Sequence, residues 1–313
     1  MTMSGFRERP SRVTIAALAT GVLALAVAPW VLNEFLLSLA LTCLMYAGLA
    51  VSWAMFSGAT NYLSLATAAF FGIGAYVTAL GYESLTYPVS VFLGGLAASA
   101  FAAIVGVAIL HLRGAYFAVL TFGLGELVRH AITFVEKKYS GTVGRVLTET
   151  PEAATVYLTV LVVALAAVAV CVAVRSSRFG LALAGIGADE QRAQTLGVNT
   201  RLVKIGGFAL SAFFAGALGA AMAVRWTYID PPAVFNPFIG FQTVLIAMVG
   251  GAQTVAGPLV ASIVFSLLTE LLRLQFPYLF LIILGTLLIL LVLYLPGGIA
   301  SLWTRKRAGK RDG

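Results

Sequence analysis

Long apolar runs follow one another along the chain, with few polar residues between them. A helix needs about 20 mainly apolar residues to cross the roughly 30 Å of hydrocarbon in a bilayer. Measured against that length, the pattern predicts about ten membrane spans. The predicted spans lie at 13–32, 35–56, 62–81, 88–111, 115–134, 154–174, 204–224, 239–255, 257–273 and 277–296.

The pattern leaves the backbone path open at two places. The segment VGGAQTVAGP, at 249–258, fits either a tight turn between two short spans or a broken, partly re-entrant element. The stretch 57–76 begins with polar and small residues, so it can also enter the membrane irregularly. We therefore predict an all-α polytopic membrane protein with about eight to ten transmembrane helices.

Composition supports this class, because 60% of the residues are hydrophobic and only 10% are charged, against roughly 25% charged residues in soluble domains. Basic loops are retained in the cytoplasm, and a topology with both termini inside places 14 of the 20 Lys and Arg residues there. The net charge of +8 thus indicates an inner membrane surface rather than nucleic acid. This topology gives a cytoplasmic segment 1–12, a transmembrane domain 13–304 with a cytoplasmic loop at about 175–203, and a basic tail 305–313.

Few residues offer catalytic or metal-binding chemistry. Cys43 and Cys171 lie within apolar runs without ligand spacing, and the two His residues form no nucleophile–base arrangement with them. We therefore expect a protein that is not an enzyme and holds no metal. Gly309 and Lys310 lack the upstream glycine of a phosphate-binding P-loop, so ATP would have to be bound by a partner.

The polar stretch GADEQRAQTLGVN, at 187–199, has the signals of a short cytoplasmic helix. Asp189 and Glu190 favour a helix N-terminus, and Gly197 can adopt the left-handed conformation that ends a helix. A helix of about two turns is marginal alone and must dock on something, although only Ile186, Ala193 and Leu196 offer an apolar stripe. The alternative is a solvated linker.

A proline substitution distinguishes the helix from the linker. We expect Glu190→Pro to damage the helix more than Glu190→Ala does, because proline inside a helix costs on the order of 3 kcal/mol.

The next span carries a face of small residues. Gly207, Ser211, Ala215 and Gly219 recur every four residues, and such residues let helix backbones approach closely in membranes. We expect this span to pack tightly against a neighbour, so Leu in place of Gly207 or Gly219 is expected to lower the yield of assembled complex.

Several motifs carry a resemblance to a known family. The segment 178–219 resembles the cytoplasmic signature of ABC-importer permeases. More narrowly, the chain resembles the M-type permease subunit of branched-chain amino acid importers. The further matching motifs are NYLSLATAAFFGIGAY at 61–76, LRGAYFAVLTFGLGELVR at 112–129, SGTVG at 140–144, FNPFIGFQTVLIAMVGGAQTVAGP at 235–258 and YLPGGI at 294–299.

The resemblance implies an ABC transporter in the bacterial plasma (inner) membrane. In that family two permease subunits form the pathway, two ATPase subunits bind ATP and Mg on the cytoplasmic side, and an extracytoplasmic solute-binding protein delivers the substrate. The helix at 187–199 then becomes a coupling helix that sits in a groove of the ATPase. The residues that the resemblance assigns to coupling are Asp189, Glu190, Arg192, Gly197 and Asn199.

Two departures from the family pattern affect what can be carried over. Members often have a basic residue and a glutamate where this chain has Gly187 and Ala188, and often a histidine near Thr67. Branched-chain or other small amino acids are the expected substrates, with urea or short amides as the alternative within the same importer class. An ion-coupled secondary transporter is the alternative from another class, but such proteins usually show unpaired acids at the membrane midplane, and this chain has few.

The residues that line the pathway are predicted from polarity alone. Glu126 and Arg129 lie three residues apart in one span, as do Glu270 and Arg273. Glu126 can hold a substrate ammonium group, or the spacing can reflect a self-neutralising structural pair. Ordinary interhelical hydrogen bonding is the alternative role for the other polar candidates. These candidates are Ser64, Thr67, Tyr76, Tyr116 and Thr121.

Overall fold

A computed structural model describes residues 12–81, 84–139, 141–147, 151–226, 228–276, 279, 282–283 and 285–286. The described part is a bundle of helices with one two-stranded antiparallel sheet, formed by β1 (Arg145–Val146) and β2 (Tyr228–Ile229). The helices are α1 (Arg12–Val31), α2 (Glu34–Thr60), α3 (Thr67–Gly81), α4 (Tyr87–Ile109), α5 (Ala115–Tyr139), α6 (Ala153–Ser176), α7 (Arg178–Ala188), α8 (Glu190–Thr195), α9 (Thr200–Ala223), α10 (Pro231–Val234), α11 (Pro237–Gly250) and α12 (Ala256–Gln275).

The helices confirm the predicted class of all-α polytopic membrane protein. Among the described residues, seven helical segments are long and apolar enough to cross a membrane, and α3 adds a shorter apolar helix. Each predicted span from 13–32 to 257–273 coincides with a helix. Most of the predicted span 277–296 lies outside the described residues. The N-terminal segment 1–12, except for residue 12, and the basic tail 305–313 also lie outside them.

The chain between α2 and α3 is irregular. Helix α2 ends at Thr60, Asn61 has a positive φ of 57°, and α3 begins only at Thr67. The intervening segment is partly buried, so its backbone groups need partners. The Trp53 indole donates to the carbonyl of Ser64 at 2.7 Å, and the amide of Leu65 donates to Thr121 Oγ1 at 3.0 Å. Of the two arrangements open for 57–76, the structure therefore has the irregular one.

The segment at 249–258 forms a tight turn between α11 and α12. Gly251 takes a φ of +89°, and Gly250 and Gly257 pack backbone to backbone. A Cβ atom on Gly250 or Gly257 would overlap the carbonyl oxygen of the other. Glycine is therefore required at these positions for the two helices to approach each other.

Helix α9 lies at the centre of the bundle and packs against α2, α3, α4, α6 and α7. Gly219 lies against the Phe71 carbonyl of α3, where a Cβ atom would overlap the backbone. Gly207 faces Leu183 of α7, and Ser211 Oγ donates to the carbonyl of Ser52 in α2 at 2.8 Å. Ala215 is also buried. The small residues of α9 thus contact several neighbours rather than one.

Side-chain hydrogen bonds fasten the far end of α9 to its neighbours. Thr78 of α3 donates to the carbonyl of Ala220 at 3.1 Å, and Tyr87 of α4 donates to the carbonyl of Ala221 at 2.8 Å. Helix α9 is thus held to α3 and α4 by both close backbone contact and side-chain hydrogen bonds.

Gly219→Leu is expected to destabilise the bundle by roughly 3 kcal/mol, the upper end for overpacking, because the side chain would meet backbone that cannot rotate away. Gly21→Leu in α1 is the control, since nothing lies within 4 Å of its Cβ position. Thermal unfolding in detergent measures both variants. Equal melting temperatures for the two would contradict this packing.

Candidate functional site

The polar stretch at 187–199 spans the end of α7, the helix α8 and the turn into α9. Asp189 is extended, with φ −163° and ψ 108°, and it separates α7 from α8. Its Oδ1 accepts hydrogen bonds from the amides of Gln191 at 3.0 Å and Arg192 at 3.1 Å. Asp189 is therefore the N-cap of α8, and its Oδ2 also pairs with Arg192 Nε at 3.0 Å.

Gly197 ends α8 in the left-handed conformation, with a φ of +84°. Its amide donates to the carbonyl of Gln194 at 2.9 Å, and the amide of Val198 donates to the carbonyl of Ala193 at 3.1 Å. These two bonds form a Schellman motif. Asn199 then caps α9, because its Oδ1 accepts from the amide of Leu202 at 3.2 Å.

Glu190 points away from the surface and forms a buried polar cluster. One carboxylate oxygen pairs with Lys204 Nζ of α9 at 2.7 Å, and the other accepts from the Tyr62 hydroxyl at 2.9 Å. Arg113, whose side chain is more than half exposed, forms a second ion pair with Glu190. The distance from Arg113 Nη2 to the carboxylate oxygen is 2.8 Å. Lys204 Nζ also donates to the carbonyl of Leu110 at 2.7 Å and to the Tyr62 hydroxyl at 3.1 Å. We call Glu190, Lys204, Tyr62 and Arg113 the anchor cluster.

The anchor cluster keeps Glu190 ionised although the carboxylate is buried. Burial opposes ionisation, but the hydrogen bonds from Lys204 and Tyr62 and the charges of Lys204 and Arg113 outweigh it. The pKa of Glu190 is therefore lowered from its ordinary value of 4.5. The ammonium of Lys204 has three protons and three acceptors, so the pair is fully hydrogen-bonded.

Gly187 fixes the end of α7 to the end of α2. A Cβ atom at Gly187 would overlap the carbonyl oxygen of Ala59, and Asn61 Nδ2 donates to the Gly187 carbonyl at 3.0 Å. A side chain at position 187 therefore does not fit this packing. Glycine at this position thus has a local steric reason.

The outer face of α8 carries exposed polar residues and one exposed leucine. Ile186 and Ala193 are buried, as the apolar stripe predicts, but Leu196 is 84% exposed. Leu196 follows the last residue of α8. The helical periodicity that turns the Ala193 side chain inward therefore does not set the direction of the Leu196 side chain. Leu196 is therefore an apolar side chain with no cover from the described part of the chain.

The structure corrects the expectation about proline at Glu190. Glu190 is the first residue of α8, a position at which proline is tolerated because its amide needs no helical partner. Glu190→Ala is damaging in its own right, since it leaves Lys204 buried without its counter-charge. The expected difference between proline and alanine therefore does not hold.

A family model described as the branched-chain amino acid transport system permease component matches residues 35–292. The chain belongs to this family. It is 26% identical to the high-affinity branched-chain amino acid transport system permease protein LivM of Escherichia coli (strain K12), over 93% of this chain and 76% of that protein. The LivM protein of Salmonella typhimurium (strain LT2) is 24% identical with the same coverage. No solved structure matches.

Membership in this family identifies the chain as a permease of the ABC-importer class and a multi-pass protein of the inner membrane. Importers of this class combine permease subunits with ATPase subunits. Family membership also favours a transport subunit over an enzyme.

The polar pathway candidates of this permease do not converge on one site. Ser64, Thr67 and Thr121 are buried, and the Thr121 hydroxyl accepts a hydrogen bond from the backbone amide of Leu65. The Tyr76 hydroxyl donates to the carboxylate of Glu136 at 3.3 Å, while Tyr116 is exposed. Glu126 pairs with Arg129 on its own helix. Their role in transport stays a prediction.

Sequence reasoning missed Tyr62, Lys204 and Glu136. Lys204 is the first residue of the predicted span 204–224 and one of the 14 basic residues that the predicted topology places on the cytoplasmic side, and nothing local distinguishes Tyr62 or Glu136 from neighbouring polar residues. Glu136 is buried and also accepts from the amide of Gly144 at 2.9 Å, so it holds the loop before β1 against α5. A lysine within a span was the only available signal for the anchor cluster.

The anchor cluster should weaken in acid. Because the folded pKa of Glu190 is lowered, its contribution to stability is present above 4.5 and is lost as the pH falls through the folded value. At about pH 7, amides of α8 should exchange hydrogen at least about tenfold more slowly in wild type than in Glu190→Gln, since about 1.4 kcal/mol is a factor of ten. This ratio, measured by mass spectrometry, should approach one well below pH 4.5. A ratio that does not change with pH would contradict the assignment.

Gly197→Val should open the end of α8. A β-branched residue at φ +84° is strained by about 1–2 kcal/mol, although nothing lies within 4 Å of its Cβ position. Gly197→Asn is the matched control, since asparagine tolerates the left-handed region. Tryptic cleavage after exposed Arg192 should accelerate several-fold in the Val variant only. Equal rates in both variants would mean that the backbone conformation is not limiting.

Proposed function

We propose that this chain forms, with a second permease subunit, the membrane pathway of an ATP-driven importer for branched-chain or other small amino acids. Relatives named for branched-chain amino acid transport support this substrate class. We propose further that ATPase subunits engage the face of α8 that carries Leu196, with ATP and Mg held by those subunits, and that an extracytoplasmic solute-binding protein delivers the substrate.

The observation that carries the coupling proposal is the one-sided anchoring of α8. Glu190 and Ala193 face inward, while Leu196 and the guanidinium of Arg192 face outward. A coupling element must present a surface to its partner and must also pass displacement to the spans. A solvated linker needs neither a buried ion pair nor a capped helix.

The contacts of α8 provide a physical route for that displacement. The anchor cluster joins α8 to the start of α9 through Lys204, to the end of α4 through the Leu110 carbonyl, and to the irregular segment before α3 through Tyr62. Gly187 joins the same region to the end of α2. A push on α8 therefore acts on the ends of four membrane helices at once.

Leu196→Asp should uncouple transport without unfolding the permease, because the side chain is exposed and has no packing to lose. The test uses proteoliposomes that hold the complete complex, ATP and the solute-binding protein. Uptake of labelled leucine and substrate-stimulated ATP hydrolysis should both fall at least about tenfold, a coupling loss of about 1.4 kcal/mol. Leu196→Met is the matched control and should retain both activities.

The same assay tests the function itself. Wild-type uptake of labelled leucine that requires ATP and the ATPase subunits supports the proposal. Uptake of urea or acetamide but not leucine would overturn the substrate class. Uptake driven by a proton or sodium gradient without ATPase subunits would overturn the importer class.

A further inference from the structure

Among the seven described helices that are long and apolar enough to cross a membrane, α5 is the least enclosed. Only 11% of its most apolar 18-residue stretch is buried, whereas the corresponding share for the other long spans lies between 28% and 67%. One face packs inward, through residues such as Phe117, Thr121 and Val128. The rest of α5 is left uncovered by the described part of the chain. The polarity of its uncovered residues therefore indicates whether they face lipid, water or another protein.

The uncovered surface of α5 has two faces of opposite polarity. Leu120, Leu127 and Phe134 form an apolar face, as expected for contact with lipid. From Gly123 onwards a second face carries polar or small residues at helical spacing, and we call it the polar stripe; one turn earlier the same face carries the exposed Val119. The residues of the polar stripe are Gly123, Glu126, Arg129, His130 and Thr133.

A lipid environment is unfavourable for the polar stripe. Glu126 and Arg129 form an ion pair whose side chains are 27% and 28% exposed, and the His130 side chain is 73% exposed. A charged side chain at the centre of a span costs about 2.5–3.5 kcal/mol, and ionisable side chains within spans normally face a bundle interior or a water-filled cavity. Contact with water or with another protein surface would avoid the cost of placing the stripe in hydrocarbon.

The pair also does not hold this chain together. Among the described residues, the ion-pair partners of Glu126 are Arg129 and His130, both on α5 itself. By contrast, the Glu190–Lys204 pair joins two helices. Within the described part of the chain, the Glu126 pair therefore links no two helices.

Two aromatic rings contact each other at the start of the polar stripe. Phe122 is one helical turn before Glu126 on α5, and its ring centroid is 5.6 Å from that of Phe241 on α11. Phe241 is itself partly exposed, at 40%. An opposite pair of charges next to an exposed aromatic surface matches an aliphatic amino acid, which has an ammonium, a carboxylate and an apolar side chain.

We propose that the polar stripe lines a water-filled pathway completed by a second permease subunit, in which Glu126 and Arg129 bind a zwitterionic amino acid and Phe122 and Phe241 contact its aliphatic side chain. The inference rests on the proposed function. It adds the residues that bind the substrate and the charge state in which the substrate is bound. The substrate ammonium pairs with Glu126 and its carboxylate with Arg129, so the ion pair within α5 is exchanged for two pairs with the ligand. Neutral urea or amides carry no charges for this exchange.

The first experiment measures access of water to each face of α5. Single cysteines replace Gly123, His130 or Thr133 on the polar stripe, and Leu127 or Phe134 on the apolar face, in a complex whose Cys43 and Cys171 are changed to serine and alanine. A charged, membrane-impermeant thiosulfonate should label the three stripe positions at least about tenfold faster, because thiolate reaction needs water. Equal labelling of both faces, or faster labelling of Leu127→Cys, would overturn the pathway.

The second experiment tests the zwitterion site by leucine uptake. The double variant Glu126→Gln with Arg129→Gln removes both charges while keeping polar side chains and should lower leucine uptake at least about tenfold. The matched control is Glu270→Gln with Arg273→Gln, which has the same spacing on α12 and should transport like wild type. Wild-type uptake by the first double variant would overturn the site.

The two proposals fail in different ways. Absence of ATP-dependent leucine uptake by wild type would refute the proposed function, and labelling of the stripe is measured independently of uptake. Normal wild-type uptake combined with an unlabelled stripe would refute the inference alone.

Discussion

The buried ion pair between Glu190 and Lys204 is the interaction on which the α8 end of the bundle depends. A helix of six residues has too few hydrogen bonds to persist alone, so its position is set by what holds it. The pair holds α8 in place. Tyr62 and Arg113 bind its carboxylate, and the Leu110 carbonyl accepts a hydrogen bond from its ammonium. Removing one partner of a buried pair typically costs about 3–5 kcal/mol. Loss of this pair would thus release α8 from the spans that it contacts.

Small residues on α9 complement the ion pair by making the bundle stiff. Glycine at 219 and at 216 allows α9 to touch the backbones of α3 and α4 directly. Contacts between backbones have no rotatable side chains to absorb a displacement. The anchor cluster delivers movement to the start of α9, and this packing carries it along the helix. The polar anchor cluster therefore connects α8 to α9, and the close packing of α9 connects α9 to α3 and α4.

Hydropathy predicted the spans well because the bilayer imposes both length and polarity on every crossing segment. The caps of α8 were also predictable, since Asp189 and Gly197 act on residues within a few positions of themselves. The anchor cluster was not, because Tyr62 and Glu190 are 128 residues apart and only the folded chain brings them together. Leu196 was misplaced for a related reason: its direction depends on where the helix stops, which periodicity alone does not define.

The irregular segment between α2 and α3 has a consequence for how the chain can vary. Its backbone is paired at fixed points with Trp53 and Thr121, which belong to two different helices. One residue inserted there would have to bulge out or shift one of these pairings, and a shift would move Gly74 away from the Gly216 backbone that it touches. The length of the segment is therefore constrained together with the side chain of Tyr62, which bonds Glu190, so the segment acts as a spacer that sets the position of α3 relative to α2.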